Sequence, residues 1–274
     1  MTQQDFLRAP LAKLGTPTCR IGLSASYRPG RETVFCALDE GLNYYFFFGF
    51  DTHMTSVLPD AISRHREQYV LATGAYNYIY AHQNLRRTLE RRLRQMKTGY
   101  IDLFHFLGVT RRRHFTPQVR DELQAVRESG LVRGVSISTH DREFAVELLR
   151  EGVLDAAMVH YNAASRGAET DFFPLLPDSS PVVVGFTATR WTELLRRPHG
   201  YPAEGRLPTA GMCYRFVLSA PAVNVCLMAP RSVGEFASNL AEIRRGPLDE
   251  EEMAYLRSFG DMVYSRPRYR RRGT

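Results

Sequence analysis

The sequence predicts an α/β protein built as a single (β/α)8 TIM barrel. Short runs of β-branched and aromatic residues alternate with amphipathic helical stretches from residue 21 onward, which is typical of parallel strands joined by covering helices. Eight such units follow one another, a number that favours a closed barrel over an open sheet. The chain contains neither a G-x-G-x-x-G nor a G-x-x-x-x-G-K-[ST] phosphate loop. The motifs that would indicate one of the common open sheets that bind nucleotides are therefore missing.

The predicted strands are spaced regularly along the chain. They cover Ile21–Ala25, Asn43–Phe48, Tyr69–Thr73, Ile101–Leu107, Val132–Ser138, Ala156–Tyr161, Pro181–Phe186 and Val223–Met228. The predicted helices cover residues 31–40, 55–65, 84–93, 117–128, 142–150, a short segment after the sixth strand, 191–196 and 233–244. Leu85, Leu89 and Leu93 illustrate the helical pattern, because residues four apart lie on one face of a helix.

The composition indicates one buried core and few classes of partner. Hydrophobic residues make up 44% of the chain, and no apolar run approaches the roughly 20 residues that a membrane helix needs. The N-terminus MTQQDFLRAP lacks the layout of a signal peptide. We therefore expect a cytoplasmic protein with no membrane partner. The four cysteines are dispersed, without a C-x-x-C pair, which predicts reduced thiols and no metal site.

The net charge of +7 comes almost entirely from arginine, since Lys13 and Lys97 are the only lysines. The basic residues are spread along the chain except in the segment RPRYRRR at 266–272. A nucleic-acid partner would require a clustered basic face with interleaved aromatic residues. We expect no such partner, and we assign residues 1–262 to one barrel domain and 263–274 to a solvated, disordered basic tail.

Six segments in the same order resemble the aldo-keto reductase superfamily, whose members are NADP-dependent barrel enzymes. The segments are Leu14-Gly-Thr with Ile21-Gly-Leu, Gly41-Leu-Asn, Leu89-Glu-Arg-Arg-Leu with Tyr100-Ile-Asp-Leu, Gly130-Leu-Val-Arg-Gly-Val-Ser-Ile-Ser-Thr, Val159-His-Tyr-Asn, and Arg231-Ser-Val-Gly-Glu-Phe-Ala-Ser-Asn-Leu. The likeness covers roughly residues 11–260. No single motif is decisive, but their common order makes the resemblance fairly specific.

The resemblance implies carbonyl reduction by an Asp, Tyr, Lys and His tetrad, and this chain lacks all four. The aspartate position falls on Phe46, the tyrosine position near Asp51, the lysine position on Gly74 and the histidine position on Leu107. A tyrosine acid needs a neighbouring cation to lower its pKa from about 10. Neither lysine of the chain lies at a strand end, so we expect the family's proton-transfer apparatus to be absent.

The cofactor positions implied by the resemblance are partly retained, which makes NADP a possible cofactor. Ser138 and Thr139 stand where the family binds the nicotinamide amide, and Phe186 stands where an aromatic ring stacks on nicotinamide. Arg231 and Asn239 stand at the adenosine end. Three positions depart from the family pattern: Met158, Ser238 and the pair Ala229-Pro230. Helix capping for the hydroxyls, core packing for Phe186 and simple solvation for Arg231 remain open alternatives.

Strand alternation predicts which side chains could replace the tetrad. If Phe46 and Leu107 face the barrel interior, then Tyr44 and His105 do so as well. A tyrosine and a histidine can exchange a proton near neutral pH, so we interpret Tyr44 and His105 as candidate catalytic groups. Asp51 and His53, on the loop above, are a second candidate acid–base pair. The alternative is that His105 is a core histidine with satisfied hydrogen bonds.

The expected substrate is a small aromatic or apolar molecule at the C-terminal mouth of the barrel. The ring-rich stretch from Tyr44 to Phe48 would form an aromatic pocket. The residues predicted to contact the substrate are Phe46, Phe48, His160, Asn162, Arg166 and Trp191. Arg166 and Glu169 could bind an anionic or polar group or pair with each other, and Trp191 could serve packing alone.

Three functional hypotheses remain open from the sequence. The first is an NADP-linked oxidoreductase with a non-standard active site. The second is a non-redox enzyme, a dehydratase, isomerase or cyclase, on the same barrel. The third is a catalytically silent pseudoenzyme that binds a nucleotide or a partner. The partial cofactor pattern favours the first hypothesis, whereas loss of the whole tetrad favours the other two.

Overall fold

A computed structural model of the chain describes residues 6–11, 16–78, 81–82 and 84–265. Eight parallel strands close into a barrel, which confirms the predicted fold class. Residues 12–15, which include Lys13 and the first two residues of the opening motif, lie outside the described part of the chain, as do the tail residues 266–274.

The strands follow the predicted order, preceded by a short antiparallel hairpin. The strands are β1 (Arg8–Leu11), β2 (Thr16–Cys19), β3 (Ile21–Ser24), β4 (Tyr44–Phe46), β5 (Val70–Tyr78), β6 (Ala81–His82), β7 (Ile101–Val109), β8 (Val132–Thr139), β9 (Ala156–His160), β10 (Val182–Phe186) and β11 (Val225–Met228). Around the barrel the order is β3-β4-β5-β7-β8-β9-β10-β11, and β11 pairs with β3 to close it. β4 and β5 therefore lie opposite β9 and β10.

Helices cover the outside of the barrel between successive strands. They are α1 (Arg31–Asp39), α2 (Thr52–Ala61), α3 (Leu85–Met96), α4 (Pro117–Glu128), α5 (Arg142–Arg150), α6 (Ala168–Asp171), α7 (Ala210–Leu218), α8 (Val233–Ile243) and α9 (Glu250–Tyr264). Local sequence explains where several begin. Asp141 caps α5 by accepting from the Phe144 amide, and Thr116 caps α4 ahead of Pro117.

The covering helix between β10 and β11 is not where the sequence pattern predicted it. Residues 191–196 contain only a 3-10 turn, Glu193–Leu195. The helix there is α7, in which every residue from Gly211 to Leu218 is buried. A helix enclosed on all sides has no polar face, so it lacks the amphipathic period that identifies a surface helix.

The last helix continues past the predicted domain boundary at residue 262. Its start is fixed by a capping box between Asp249 and Glu252, and Glu252 also forms an ion pair with the buried Arg215 on α7. Residues 263 and 264 belong to α9 rather than to a tail. Within the described residues, none of the helices combines the length and apolarity required to cross a bilayer.

Strand register identifies the side chains inside the barrel, because residues paired across parallel strands point to the same side of the sheet. Phe46 pairs with Ala72, Gly74 with His105, and His105 with Ser136. The rings of Phe46 and His105 lie 5.6 Å apart, centroid to centroid, in the interior. Tyr44 also faces inward, since a Cβ added to Gly22 on β3 would meet its ring at 2.5 Å.

Candidate functional site

A small cavity of about 110 Å³ opens at the C-terminal mouth of the barrel, where β3, β10 and β11 end. Its lining combines hydroxyls with aromatic and aliphatic surface: Ser24, Ser26, Tyr27, Phe186, Thr187, Ala188, Thr189, Trp191, Tyr214, Leu227 and Ala229. Active sites of such barrels are built at this end by the loops that follow the strands. The cavity is therefore the natural centre of a candidate active site.

Four rings pack together beside this cavity, and we call them the Trp191 cluster: His140, His160, Phe186 and Trp191. Trp191 stacks on His160 with ring centroids 5.4 Å apart and planes inclined by 23°. His160 also lies 5.8 Å from Phe186 and 5.4 Å from His140. Trp191 remains 45% exposed, so one side of the cluster is open to a ligand.

The loop that presents Trp191 has an unusual backbone. Thr187, Arg190, Trp191 and Thr192 all have φ between 49° and 69°, a region that residues other than glycine rarely adopt. The Arg190 side chain is fully buried beneath the loop, 3.2 Å from Glu193 and over the ring of Tyr264. Residues held in such conformations cluster at functional sites, which supports a role for this loop.

His160 is held by Asn162, which is itself fully buried. The Asn162 amide nitrogen lies 3.3 Å from His160 Nε2 and donates to the Thr187 carbonyl at 3.0 Å. Burial, then the nearby His140, Arg190 and Arg142, lower the pKa of His160 to about 3. The imidazole is therefore neutral at physiological pH.

Tyr44 and His105 lie deeper in the barrel and do not reach the mouth. Both side chains are fully buried, and no hydrogen-bond partner for Tyr44 Oη or for either His105 ring nitrogen lies among the described residues. Burial lowers the pKa of His105 to about 3, and burial together with Asp102 raises the pKa of Tyr44. The structure does not join the two by a hydrogen bond, and their environment favours core packing over proton transfer.

Asp51 and His53 have structural contacts at the start of α2. The Asp51 carboxylate accepts from the amides of His53 and Met54 and so caps the helix. His53 Nδ1 accepts from the Gly30 amide at 3.2 Å. Because the carboxylate binds main-chain amides and not the imidazole, the structure does not assemble these residues as an Asp–His base.

A second ring cluster lies across the mouth, at the ends of β4 and β5, and we call it the Phe50 cluster: Phe46, Phe48, Phe50 and Tyr76. Phe50 is 69% exposed and stacks on Phe48 with centroids 5.2 Å apart. Phe48 in turn contacts Phe46 at 5.1 Å and Tyr76 at 5.7 Å. This cluster and the Trp191 cluster lie on opposite sides of the barrel, because β4 and β5 face β9 and β10 across it.

The two hydroxyls predicted to bind nicotinamide point to opposite sides of β8. Ser138 pairs with Met158 on the interior face and is half-buried. Thr139 points outward, and its hydroxyl bonds the main chain of Asp141 at the start of α5. Alternation along a strand makes this unavoidable for neighbouring residues. Ser138 is the one available at the mouth.

Arg231 lies just before α8 and Asn239 lies on it, both outside the barrel. The exposed Arg231 guanidinium sits 5.0 Å above the ring centroid of Tyr27. It borders a surface groove of about 600 Å³ that also includes Gly30, Arg31, His53 and Ser232. Asn239 is half-buried on the second turn of the helix.

Arg166 and Glu169 form ion pairs with α9 and not with each other. Arg166 binds Asp261 at 2.7 Å and the carbonyls of Ala163 and Arg257. Glu169 binds Arg257 and accepts from the Tyr161 hydroxyl. These contacts hold the loop after β9 against the last helix. Arg166 therefore has a structural role, whether or not it also binds a ligand.

Sequence reasoning did not identify Ser24, Tyr27 or His140 as site residues. Ser24 and His140 stand at the ends of β3 and β8, and Tyr27 follows in a 3-10 turn. These residues could have been identified from the sequence because they lie at, or just after, the carboxyl end of a predicted strand, where active sites of such barrels are built.

Known proteins share a sequence profile and a fold with this chain. The sequence profile of the aldo/keto reductase family matches residues 37–195, more than half of the chain. No curated protein sequence matches the chain. Solved structures share the fold at low identity. An aldo-keto reductase from Bacillus halodurans, in its holo form, superposes with a TM-score of 0.73 at 18% identity, covering 92% of this chain and 95% of that one.

Two further structures extend the comparison. An aldo-keto reductase from Klebsiella pneumoniae in complex with NADPH has a TM-score of 0.70 and 22% identity, covering 95% of each chain. The glycerol dehydrogenase from Gluconobacter oxydans has a TM-score of 0.72 and 18% identity, covering 96% of this chain and 98% of that one.

Proposed function

The chain belongs to the aldo/keto reductase family, and on that premise we propose that it is an NADP-linked oxidoreductase acting on a small aromatic or apolar molecule. In this proposal the proton-transfer groups differ from the family's tetrad. NADPH would supply the hydride, and the chain's own residues would bind the cofactor and orient the substrate.

The observation that best supports the proposal is the position of Tyr27 between the two openings. Its ring lines the cavity beside Phe186, and the same ring lies beneath Arg231, which borders the groove. An extended dinucleotide with its nicotinamide end at Phe186 would therefore reach a cation with its adenosine end. Arginine suits phosphate because its planar guanidinium donates to two oxygens at once.

The residues present offer contacts for such a cofactor at the nicotinamide end, and a cation with a nearby opposing charge at the adenosine end. At the nicotinamide end, the half-buried ring of Phe186 offers a stacking surface, and Ser138 offers a hydroxyl. At the adenosine end, Glu235 accepts from the Arg231 amide, so its carboxylate lies close to the Arg231 main chain. That negative charge would weaken phosphate binding, and we expect modest affinity.

In this proposal the family's lysine position falls on Gly74, where the space for a side chain is limited. A Cβ at this position would lie 2.2 Å from the main-chain oxygen of His105, which is far shorter than any real contact. The local backbone therefore suits glycine and excludes a lysine there without rearrangement. This feature also favours a second candidate, a non-redox or catalytically silent barrel that retains nucleotide binding.

The test is nucleotide binding by the full chain. A ligand that binds only the native state at a hundredfold excess over Kd stabilises it by about 2.7 kcal/mol. We expect NADPH to raise the melting temperature and to change the fluorescence of Trp191, the only tryptophan. If neither NADPH nor NADH changes either quantity, the oxidoreductase proposal fails. If NADPH binds but no carbonyl or alcohol is turned over, the silent barrel replaces it.

A further inference from the structure

Helix α3, on the outside of the barrel, concentrates positive charge. Five of its twelve residues are arginine, and Glu90 is its one acidic residue. The Glu90 carboxylate is already engaged, because it accepts from Arg86 Nε at 2.8 Å. Most of the positive charge of the helix is therefore not balanced within the helix itself.

Three of these arginines form a line along the helix, which we call the α3 stripe: Arg87, Arg91 and Arg94. They are separated by four and three residues, and residues at these intervals lie on the same face of a helix. All three side chains are exposed, whereas Leu85 and Leu89 are buried against the barrel. The stripe is thus the solvent-facing side of α3.

The charges of the α3 stripe have no carboxylate partners within the part of the chain that the structure describes. The one side-chain hydrogen bond of the stripe runs from Arg91 to the Thr88 hydroxyl at 3.5 Å. By contrast, Arg120 on the neighbouring helix α4 binds Glu151 at 2.8 Å. Like charges three and four residues apart destabilise a helix, so the stability of α3 does not account for the stripe.

The positive surface continues past the end of α3. The half-buried ring of Tyr100 contacts the guanidinium of Arg66 at 4.0 Å and that of Arg133 at 4.5 Å, measured to the ring centroid. Both arginines pair with Asp102, so two cations share one carboxylate. Arg66 also donates to the hydroxyl of Thr98, two residues beyond the helix. An aromatic ring and a net positive charge therefore adjoin the end of the stripe.

The spacing of the stripe fits the phosphates of a nucleic acid. A helix rises about 1.5 Å per residue, so Arg87 and Arg94 are about 10.5 Å apart along its axis. One strand of a DNA duplex carries a phosphate every 3.4 Å or so, which gives about three phosphates over that length. Guanidinium groups suit phosphate because they donate to two oxygens at once. A bilayer would also require apolar side chains that insert into it, and the stripe consists of arginine alone.

We propose that the α3 stripe binds the phosphate backbone of a nucleic acid duplex without reading its sequence. The composition predicts no such partner, because the arginines are spread along the sequence, but the helix brings three of them onto one face. Contacts to phosphate fix the position of a protein on a duplex and carry no base information. Duplex binding is independent of the proposed oxidoreductase activity, because none of the three arginines lines the mouth cavity or the outer groove.

Fluorescence anisotropy of the full chain with a fluorescein-labelled DNA duplex of about 20 base pairs measures this binding. Contacts to three phosphates contribute about −2.7 to the slope of log K against log salt concentration. A rise from about 50 to 200 mM salt should therefore weaken binding at least 40-fold or so. Duplexes of different sequence should bind equally well. Absence of binding at the lower salt concentration, or a strong sequence preference, would overturn the proposal.

A triple variant tests the assignment to the stripe: Arg87→Gln, Arg91→Gln and Arg94→Gln. Glutamine is a good helix former, so the melting temperature should stay close to that of the unsubstituted protein. The salt slope should shrink by about 2.7, and affinity at low salt should fall at least tenfold or so. Lysine at the same three positions should restore most of the slope, since it keeps the charge. An unchanged slope in the glutamine variant would assign the binding to other cations and contradict the proposal.

A second triple variant is the matched control, because it removes the same net charge from elsewhere on the surface: Arg86→Gln, Arg120→Gln and Arg244→Gln. Each of these arginines pairs with a glutamate. We expect this variant to keep the salt slope of the unsubstituted protein. Equal losses in the two triple variants would show that overall charge, and not the stripe, attracts the duplex.

Other polyanions and NADPH define the partner and its position. Vesicles of phosphatidylserine and phosphatidylcholine represent a bilayer, and polyglutamate represents an acidic protein. Tighter binding of either than of the duplex, at equal concentration of charge, would overturn the proposal. DNA and RNA duplexes of one sequence identify which nucleic acid is preferred, and binding of either supports it. Saturating NADPH should leave the Kd of the duplex unchanged, whereas competition would place the duplex at the groove beside Arg231 and away from α3.

Discussion

Arg231 lies 5.0 Å above the ring centroid of Tyr27, and this contact links the mouth cavity to the outer groove. Tyr27 comes from the turn after β3, and Arg231 from the residue before the cap of α8. The contact brings an aromatic ring that lines one opening under a cation that borders the other. It makes the cofactor proposal testable at a single exposed side chain.

Arg231→Ala should weaken NADPH more than NADH. A charge-assisted hydrogen bond contributes about 1.5–3 kcal/mol, which corresponds to roughly a tenfold to a hundredfold change in Kd. Titration by tryptophan fluorescence measures both nucleotides. Arg244→Ala is the matched control, since Arg244 follows the same helix but pairs with Glu40. Equal losses for NADPH and NADH would show that Arg231 does not contact the 2′-phosphate.

Gly74→Ala should destabilise the barrel. The added Cβ would come within 2.2 Å of the His105 carbonyl oxygen, and relieving such an overlap costs about 1–3 kcal/mol. Gly99→Ala is the control, because nothing lies within 4 Å of a Cβ there, and we expect a change within about 0.5 kcal/mol. Urea unfolding measures both. Similar stabilities for the two variants would show that β5 can accept a side chain at position 74.

Tyr44→Phe should leave the fold intact and raise the free energy of unfolding. The Tyr44 hydroxyl is fully buried, with no hydrogen-bond partner among the described residues, and such a group costs about 1–3 kcal/mol. Tyr45→Phe is the contrast, since Tyr45 donates to the Leu42 carbonyl at 2.8 Å, and we expect it to lose stability. A destabilised Tyr44→Phe protein with reduced turnover would instead support the proton-transfer role considered from the sequence.

Acidification should destabilise the protein, and His105→Phe should reduce that effect. The pKa of His105 is lowered from 6.5 to about 3 in the folded state by burial. Below pH 6.5 the unfolded chain therefore binds a proton that the folded chain does not. This group leaves the free energy of unfolding unchanged above pH 6.5 and lowers it progressively as the pH falls toward 3. The slope for one such group is about 1.4 kcal/mol per pH unit.

Urea unfolding between pH 7 and pH 5 measures this slope. His105→Phe should flatten it by about one proton, leaving the contribution of His160, whose pKa is lowered in the same direction. Identical slopes with and without His105 would show that its imidazole is protonated or solvated in the folded protein.

The order of the strands and the side chains that face inward were already determined by the sequence. Alternation of side chains placed Phe46 and His105 on one face, and their rings meet at 5.6 Å. Helix caps such as Asp141 depend on residues only a few positions apart, so local chemistry suffices to predict them. The fully buried α7 was missed because a helix without a polar face has no periodic signal.

The composition of the site was decided only by the tertiary structure. Arg166 binds Asp261, and Tyr27 packs under Arg231, and both contacts join residues far apart in the chain. The position of the His160 ring depends on the Asn162 amide, which accepts from the Ala164 amide and donates to the carbonyl of Thr187 in the loop after the next strand. Strand patterns give the side of the barrel that a residue faces. The depth of a side chain, its neighbours and the direction of its hydrogen bonds are set only when the strands close and the loops pack. These contacts join segments that lie far apart in the chain, so a local sequence pattern cannot predict them.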